Sequence, residues 1–334
     1  MHFSLIICTY KRPKALLTLL QSVKQQSLYP NAILIVDGSP DDFTKEMLTQ
    51  NSFQNLDYYN VEEKDRGLTK QRNYGIARVS EASEIVCFLD DDTVLAPTYF
   101  EAIIKTYTIH PEALGVGGYI ANEVSWQNVG VDYVATINEF YYDGWKRKDG
   151  SRFVWRKKLG LDSDVLPGCS PEFSHGRSIG FLPPSGKVYP VEQLMGGVSS
   201  FRKTVFHQFQ FSTYFEGYGL YEDADFTLRV SKTGKLYLNT AAQLEHHHDA
   251  AGRPNQYAYG KMVVRNGWYV WRVKYPNPSF KAKLKWHSIT LLLIFIRATN
   301  IITSSKRKEA FTETIGRAVG WFFLFFNNPK LFHK

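Results

Sequence analysis

The chain has 334 residues, enough for one large domain or two smaller ones around a sizeable core. Hydrophobic residues at 44% and charged residues at 22% are ordinary for a globular protein, and the aromatic share of 15% is high. Three cysteines, Cys8, Cys87 and Cys169, exclude a disulfide framework and fit a reducing compartment. The net charge of +8 conceals an asymmetry: residues 252–334 hold 15 Lys/Arg against two acids, giving +13, while the remainder carries −5. Such a tail suits a polyanion, either nucleic acid or an anionic membrane surface, or else is a solvated basic face without a partner. The opening "MHFSLIICTYKRP" lacks a basic n-region and its apolar run is too short for a secretory signal, so a cytoplasmic location is expected.

In chain order, "FSLIIC" (3–8) predicts a strand, and a helix follows from about Pro13 to Gln26 with proline at its start. "AILIVDG" (32–38) is a second strand ending on Asp37 and a turn glycine. A helix from about Asp41 precedes a weaker strand near "LDYYNV" (56–61). Helical periodicity over "GLTKQRNYGIARVS" (67–80) leads to a fourth strand, "EIVCFLD" (84–90). A helix from Pro97 to about His110 and a strand "ALGVGGYI" (113–120) complete the series. Strands alternating with helices mean βαβ units and an α/β fold with a mostly parallel sheet. Ligands bind such sheets beyond the carboxyl ends of the strands, which is where Thr9, Tyr10, Asp37 and Asp90–Asp92 fall.

From Ala121 to Leu194 no period holds; the stretch is rich in Trp, Tyr, Gly and Pro and contains the basic run "WKRK" (145–148). It is long for a structureless loop and is expected to fold over the sheet or carry function. "GGVSSFRK" (196–203) restores order, and "GLYEDADFTLRVSKTG" (219–234) reads as an amphipathic helix with an acidic start. The strand "KLYLN" (235–239) leads into three histidines, and from Asn255 the chain is helical and basic.

Three carboxylates at one strand end, Asp90, Asp91 and Asp92, are a usual way to hold Mg2+ or Mn2+ shared with substrate phosphates. The plainer alternative is that Asp92 and Thr93 cap the next helix. Glu222, Asp223 and Asp225 either complement a helix dipole or supply a general base. Among the histidines, His246 and His248 share a strand face, so one of them could complete a metal site. Arg72 is either a diphosphate or nucleobase ligand or a solvated helix residue. The phosphate loop, the dinucleotide glycine fingerprint, the nucleophile elbow and Cys-x-x-Cys spacing are all missing.

Taken in order, "IICTYKRP", "IVDGS", "QRNYG", "FLDDDT", "GGVSSFRK" and "YEDADFTLR" resemble the family 2 glycosyltransferases over about residues 3–250. The resemblance implies a Rossmann-like A-type glycosyltransferase fold with a mostly parallel central sheet, and inversion at the transferred sugar. It implies that Thr9, Tyr10, Arg12, Asp37 and Arg72 line the pocket of a nucleotide-diphosphate sugar. Asp90, with Asp91 beside it, would meet the nucleoside, and Asp92 with His246 or His248 would bind Mn2+ or Mg2+. Gly196 and Gly197 with Glu222 would border the acceptor, and Asp223 would be the base. The corresponding division is a nucleotide-sugar half (1–120), an acceptor and catalytic half (121–253) and a helical region (254–334). The Gln-x-x-Arg-Trp motif of processive synthases does not follow the histidines, which favours a single sugar addition. A sugar nucleotidyltransferase would need a glycine-rich loop where "CTYKRPKALL" stands, and a degenerate, non-enzymatic domain would be expected to lack Asp92 or Asp223.

Beyond the matched blocks, "WHSITLLLIFI" (286–296) and "AVGWFFLFF" (318–326) are strongly apolar but too short to span a bilayer cleanly. Cations flank both, which suits helices lying in the headgroups of an anionic leaflet, on the inner face of the plasma membrane, near a glycan or lipid-linked acceptor. A core helix or an oligomer interface would show the same pattern. Nucleic acid is not expected, because the cations alternate with long aliphatic runs.

Overall fold

The computed structural model describes residues 1–247 and 255–331. The chain forms two compact units, Met1–Ser125 with Pro184–Gly252 and Trp126–Pro183 with Arg253–Lys334. The first opens with β1 (Phe3–Thr9), α1 (Pro13–Lys24), β2 (Ala32–Asp37), α2 (Phe43–Gln50), β3 (Leu56–Asn60), α3 (Leu68–Ile76) and β4 (Ile85–Asp90). Next come β5 (Thr93–Leu95), α4 (Tyr99–Ile109) and β6 (Ala113–Ile120). The second unit begins with β7 (Gln127–Asn128), β8 (Glu139–Tyr142), β9 (Trp145–Lys148) and α5 (Ser151–Lys158). The chain returns to the first unit for β10 (Val188–Val191), β11 (Val198–Arg202), α6 (Glu222–Val230) and β12 (Lys235–His246). The second unit is completed by α7 (Gln256–Lys274), α8 (Phe280–Thr303) and α9 (Arg307–Phe323).

The sheet of the first unit runs β10-β12-β6-β11-β4-β1-β2-β3, with β5 on β12. β1, β2, β3 and β4 are parallel, as the βαβ pattern predicts, and β6 is parallel to β12. Central strands of this kind are covered on both faces, so β1 and β4 read as unbroken apolar runs rather than alternating ones. Their side chains pack with Leu16, Leu19 and Leu20 of α1 and Phe100 and Ile103 of α4 in one core. All three cysteines are free thiols, and burial pushes the Cys8 thiol up to about 12.

Two features lie outside the simple alternation. β11 runs antiparallel between β4 and β6, entering from the edge where β4 ends. β12 extends seven residues beyond the expected 235–239, to His246, through a register break after Leu238, and there pairs with β5. Thr93 thus sits in a strand, and the N-cap position of α4 is Thr98, so Asp92 and Thr93 are not a helix cap.

In the second unit, β7, β9 and β8 form a small antiparallel sheet inside the stretch that had no period. Its order comes from charge and aromatic contact. Buried Arg177 grips Asp149 through two nitrogens at 2.9 and 3.2 Å, and its guanidinium lies 4.2–4.8 Å from the rings of Phe140, Phe153 and Phe181. The basic run is used internally as well: Lys146 bonds Glu139 at 2.9 Å and Arg147 donates to the Gly180 carbonyl at 2.7 Å. Among the three helices, Trp271 of α7 stacks on Trp286 of α8 at 5.1 Å. α7 and α9 approach so closely that a methyl at Gly260 would overlap the Glu313 carbonyl, and one at Gly316 the Tyr257 carbonyl.

Candidate active site

Strand register assembles the site. Parallel pairing sets Thr9 beside Asp37 and Cys8 beside Asp90, so three strands deliver their polar ends to one edge. Antiparallel β11 brings Gly197 opposite Asp90, whose amide donates to the Gly197 carbonyl at 3.1 Å. Pairing of β12 with β5 sets His246 beside Thr93, next to Asp92.

The three aspartates separate into different environments. Asp91 is buried; its oxygens accept from Thr9 Oγ1 at 2.7 Å and Arg12 Nη1 at 3.1 Å. Asp92 accepts from Arg12 at 3.3 Å and faces His246 Nε2 at 3.1 Å. Asp90 is the most open, its side chain 41% exposed, and lies 3.5 Å from Arg72. Much of the repulsion among the three is therefore met by the chain itself, through Arg12, Arg72 and His246. Asp92 and then Glu123 push the His246 pKa up to about 10.

Arg72 is not a solvated helix residue. It is buried, ion-paired with Glu222, and lies 5.1 Å from the Phe211 ring. Burial opposes its charge, but Glu222 and Asp90 outweigh that and hold the pKa above its ordinary value. Glu222 Oε2 is buried without a hydrogen-bond partner among the described residues. At the start of α6, Tyr221 takes a left-handed conformation (φ 71°), a strained backbone for a residue with a side chain. The turn leads directly into Glu222 and Asp223. Asp223 accepts from the Gly196 amide at 3.2 Å and its own neighbour Ala224 at 2.7 Å. Burial raises its pKa, against those two amides. Asp225 turns away and pairs with Arg229 at 2.7 Å.

The paired glycines are dictated by space. A side chain at Gly197 would overlap the Asp90 carboxylate, and one at Gly196 would meet Arg72 and Glu222. Asp37 is fully buried and accepts from Ser39 at 2.5 and 2.8 Å and from Tyr58 at 3.0 Å. Tyr10 is exposed at the end of β1. His248 lies outside the described residues, while His247 is exposed and bonds Glu245 at 3.1 Å.

One ligand atom each from Asp90, Asp92 and His246 lie within 4.8 Å of one another. Two carboxylates and an imidazole are a donor set that Mn2+ accepts readily and Mg2+ tolerates, so the residues present fit a divalent ion. Sequence reasoning missed Glu123, which holds His246 Nδ1 at 3.2 Å, and Asn122, whose amide brackets the His246 main chain at 3.0 Å on both sides. Neither stands in a motif; only the alignment of the end of β6 with the end of β12 brings them there.

Residues 4–169 match the model of glycosyl transferase family 2. Over 146 residues the chain is 27% identical to the glucosyl-dolichyl phosphate glucuronosyltransferase of Haloferax volcanii, an alignment covering 42% of each protein. The chain spans less than half the length of the curated relatives it matches. S. aureus TarS 1–349 superposes with a TM-score of 0.53 at 14% identity, over 97% of this chain and 80% of that one. GalNAc-T7, solved with UDP, GalNAc and Mn2+, superposes with a TM-score of 0.51 at 14% identity, over 82% and 51%. The chain belongs to the family 2 glycosyltransferases and has their A-type fold.

Proposed function

We propose that the protein is a metal-dependent, inverting glycosyltransferase that moves one sugar from a nucleotide-diphosphate sugar to a hydroxyl acceptor. The observation that carries this reading is the convergence of Asp90, Asp92 and His246 beside a buried carboxylate, Asp223, tied to them through Gly196 and Gly197. Thr9, Tyr10 and Arg12 border the nucleotide, with Asp91 fixing Arg12. Asp37 orders Ser39 beneath it, and Arg72 sets Asp90. A bound Mn2+ or Mg2+, held by Asp90, Asp92 and His246, would neutralise charge on the departing diphosphate. Asp223 removes the proton from the acceptor hydroxyl; burial has raised its affinity for that proton. Glu222 Oε2, buried and without a hydrogen-bond partner among the described residues, is open to a second substrate hydroxyl, next to Gly196 and Gly197. Attack on the face opposite the diphosphate inverts the anomeric carbon in one displacement.

For the acceptor we favour a lipid-linked or cell-surface glycan precursor, supported by the dolichyl phosphate substrate in the name of the Haloferax relative. That acceptor would put the reaction at the cytoplasmic face of the plasma membrane, against an anionic surface, with no nucleic-acid partner. The test is a donor screen: purified protein, Mn2+ or Mg2+, and a panel of nucleotide sugars, with nucleoside diphosphate release as readout. Slow, metal-dependent hydrolysis of one donor is expected. If no nucleotide sugar is either hydrolysed or bound in a metal-dependent way, the reading is wrong.

A further inference from the structure

α8 carries its apolar residues on the wrong side for a helix that only packs against its own protein. Its buried positions are Ala282, Trp286, Ile289 and Thr290. On the opposite side Phe280, Leu284, Leu291, Phe295 and Ile302 are exposed, the two end residues at 81% and 78%. At about 100° per residue these five fall within roughly 60° of arc, and at about 1.5 Å per residue they run for roughly 33 Å. A helix at a water-facing surface puts polar groups there. α9, packed alongside, repeats the arrangement: Phe311, Ile315 and Phe322 share an exposed stripe that Phe325 and Phe326 continue past its end, while Glu313, Gly316 and Gly320 face inward.

We propose that these stripes are an in-plane docking surface for an anionic lipid bilayer, which makes specific the membrane contact suggested above without depending on the transferase chemistry. Charge selects this occupant. Lys281 and Lys283 leave α8 on either flank of its stripe, and Lys306, Arg307 and Lys308 are exposed at the α8–α9 turn. The acids of the helical segment are already engaged: Glu309 pairs with Lys306 at 3.7 Å, and Glu313 holds Arg297 and Arg317, each at 2.6 Å. A second copy of the same face would therefore set cations against cations, whereas phosphate headgroups complement them. Geometry selects the in-plane mode. α8 is long and apolar enough to cross a membrane. Crossing would, however, take Arg297, with the Glu313 and Arg317 of its neighbour α9, into hydrocarbon. Lying flat, the helices bury only their outward stripes and keep the inward Glu313 and its two arginines out of the hydrocarbon.

The experiment is flotation of the full-length protein with vesicles of phosphatidylcholine containing one third phosphatidylglycerol, and with phosphatidylcholine alone. Each basic residue near an anionic surface is worth roughly a fivefold gain in partitioning. The protein should float with the anionic vesicles, less so at high salt, and Leu291→Glu/Phe295→Glu should remain in the soluble fraction. Lys306→Gln/Arg307→Gln/Lys308→Gln should lower anionic partitioning by roughly 100-fold while leaving the weak neutral binding alone. Both variants change exposed side chains, and an unchanged circular dichroism spectrum and Tm report that they are folded. Failure of the wild-type protein to float, or equal flotation of Leu291→Glu/Phe295→Glu, overturns the proposal. A solution dimer that Leu291→Glu/Phe295→Glu converts to monomer overturns it too, in favour of a second copy. Loss of donor hydrolysis in every sample would count against the transferase reading alone.

Discussion

Asp92 is where two site cations meet, since Arg12 and His246 both converge on it. Asp92→Asn keeps the size and removes the charge, so calorimetry should find metal-dependent nucleotide binding weakened by more than the roughly 10–100-fold typical of an outer-shell change. Glu123→Gln is such an outer-shell change. It leaves His246 in place but loosens its orientation, and should weaken Mn2+ binding about tenfold; an unchanged affinity would make Glu123 irrelevant to the metal. Asp223→Asn should keep donor binding and lose transfer by about 10²–10⁴-fold, while Asp225→Asn, committed to Arg229, should leave transfer near wild type. Burial holds the Asp223 pKa above the ordinary carboxylate range, and the base must be ionised to act. Transfer should therefore decline as pH falls through that raised pKa, giving an acid limb on kcat/KM higher than an exposed aspartate would give. A limb at the ordinary position would point to a different base.

Elements differ in how openly the sequence announces them. The parallel strands were legible because burial on both faces leaves uninterrupted apolar runs, and because a carboxylate at the end of such a run has to lie at the sheet edge. That logic puts Thr9, Asp37 and Asp90 at one sheet edge, which is where the strand register sets them. β5, β10 and the far end of β12 are not legible: the first two are only three and four residues long, and the last follows a register break against β6 that no local pattern encodes. Glu123 was missed for the same reason, since its role exists only where β6 and β12 end side by side. Antiparallel β11 supplies the sharpest test at this scale. Gly197→Ala should fold, as judged by circular dichroism, yet displace the Asp90 carboxylate and reduce metal-dependent donor hydrolysis by more than about tenfold. Wild-type activity in that variant would mean that Asp90 is not a ligand.

Over the whole molecule, the stretch 126–183 shows how structure can arise without hydrophobic periodicity. Its fixed point is Arg177, buried against Asp149 and three phenylalanine rings, a constellation assembled from residues tens of positions apart. Arg177 keeps a second carboxylate, Asp162 at 2.7 Å, so Asp149→Asn removes one of two charged partners and should cost about 1–3 kcal/mol, read as a lower Tm of the unfolding transition that reports this unit. An unchanged Tm would return Arg177 to the status of an ordinary cation. The close meeting of α7 and α9 has a different consequence. Where Gly260 faces the Glu313 carbonyl and Gly316 the Tyr257 carbonyl, main chain rests on main chain with no side chain between to yield. Interlocked in this way, α9 cannot roll about its axis, and the direction of Phe311, Ile315 and Phe322 is set by atoms on the far side of the helix. The surface they form exists before anything arrives to meet it, so capture carries little ordering entropy and should proceed as a single encounter rather than as folding on contact.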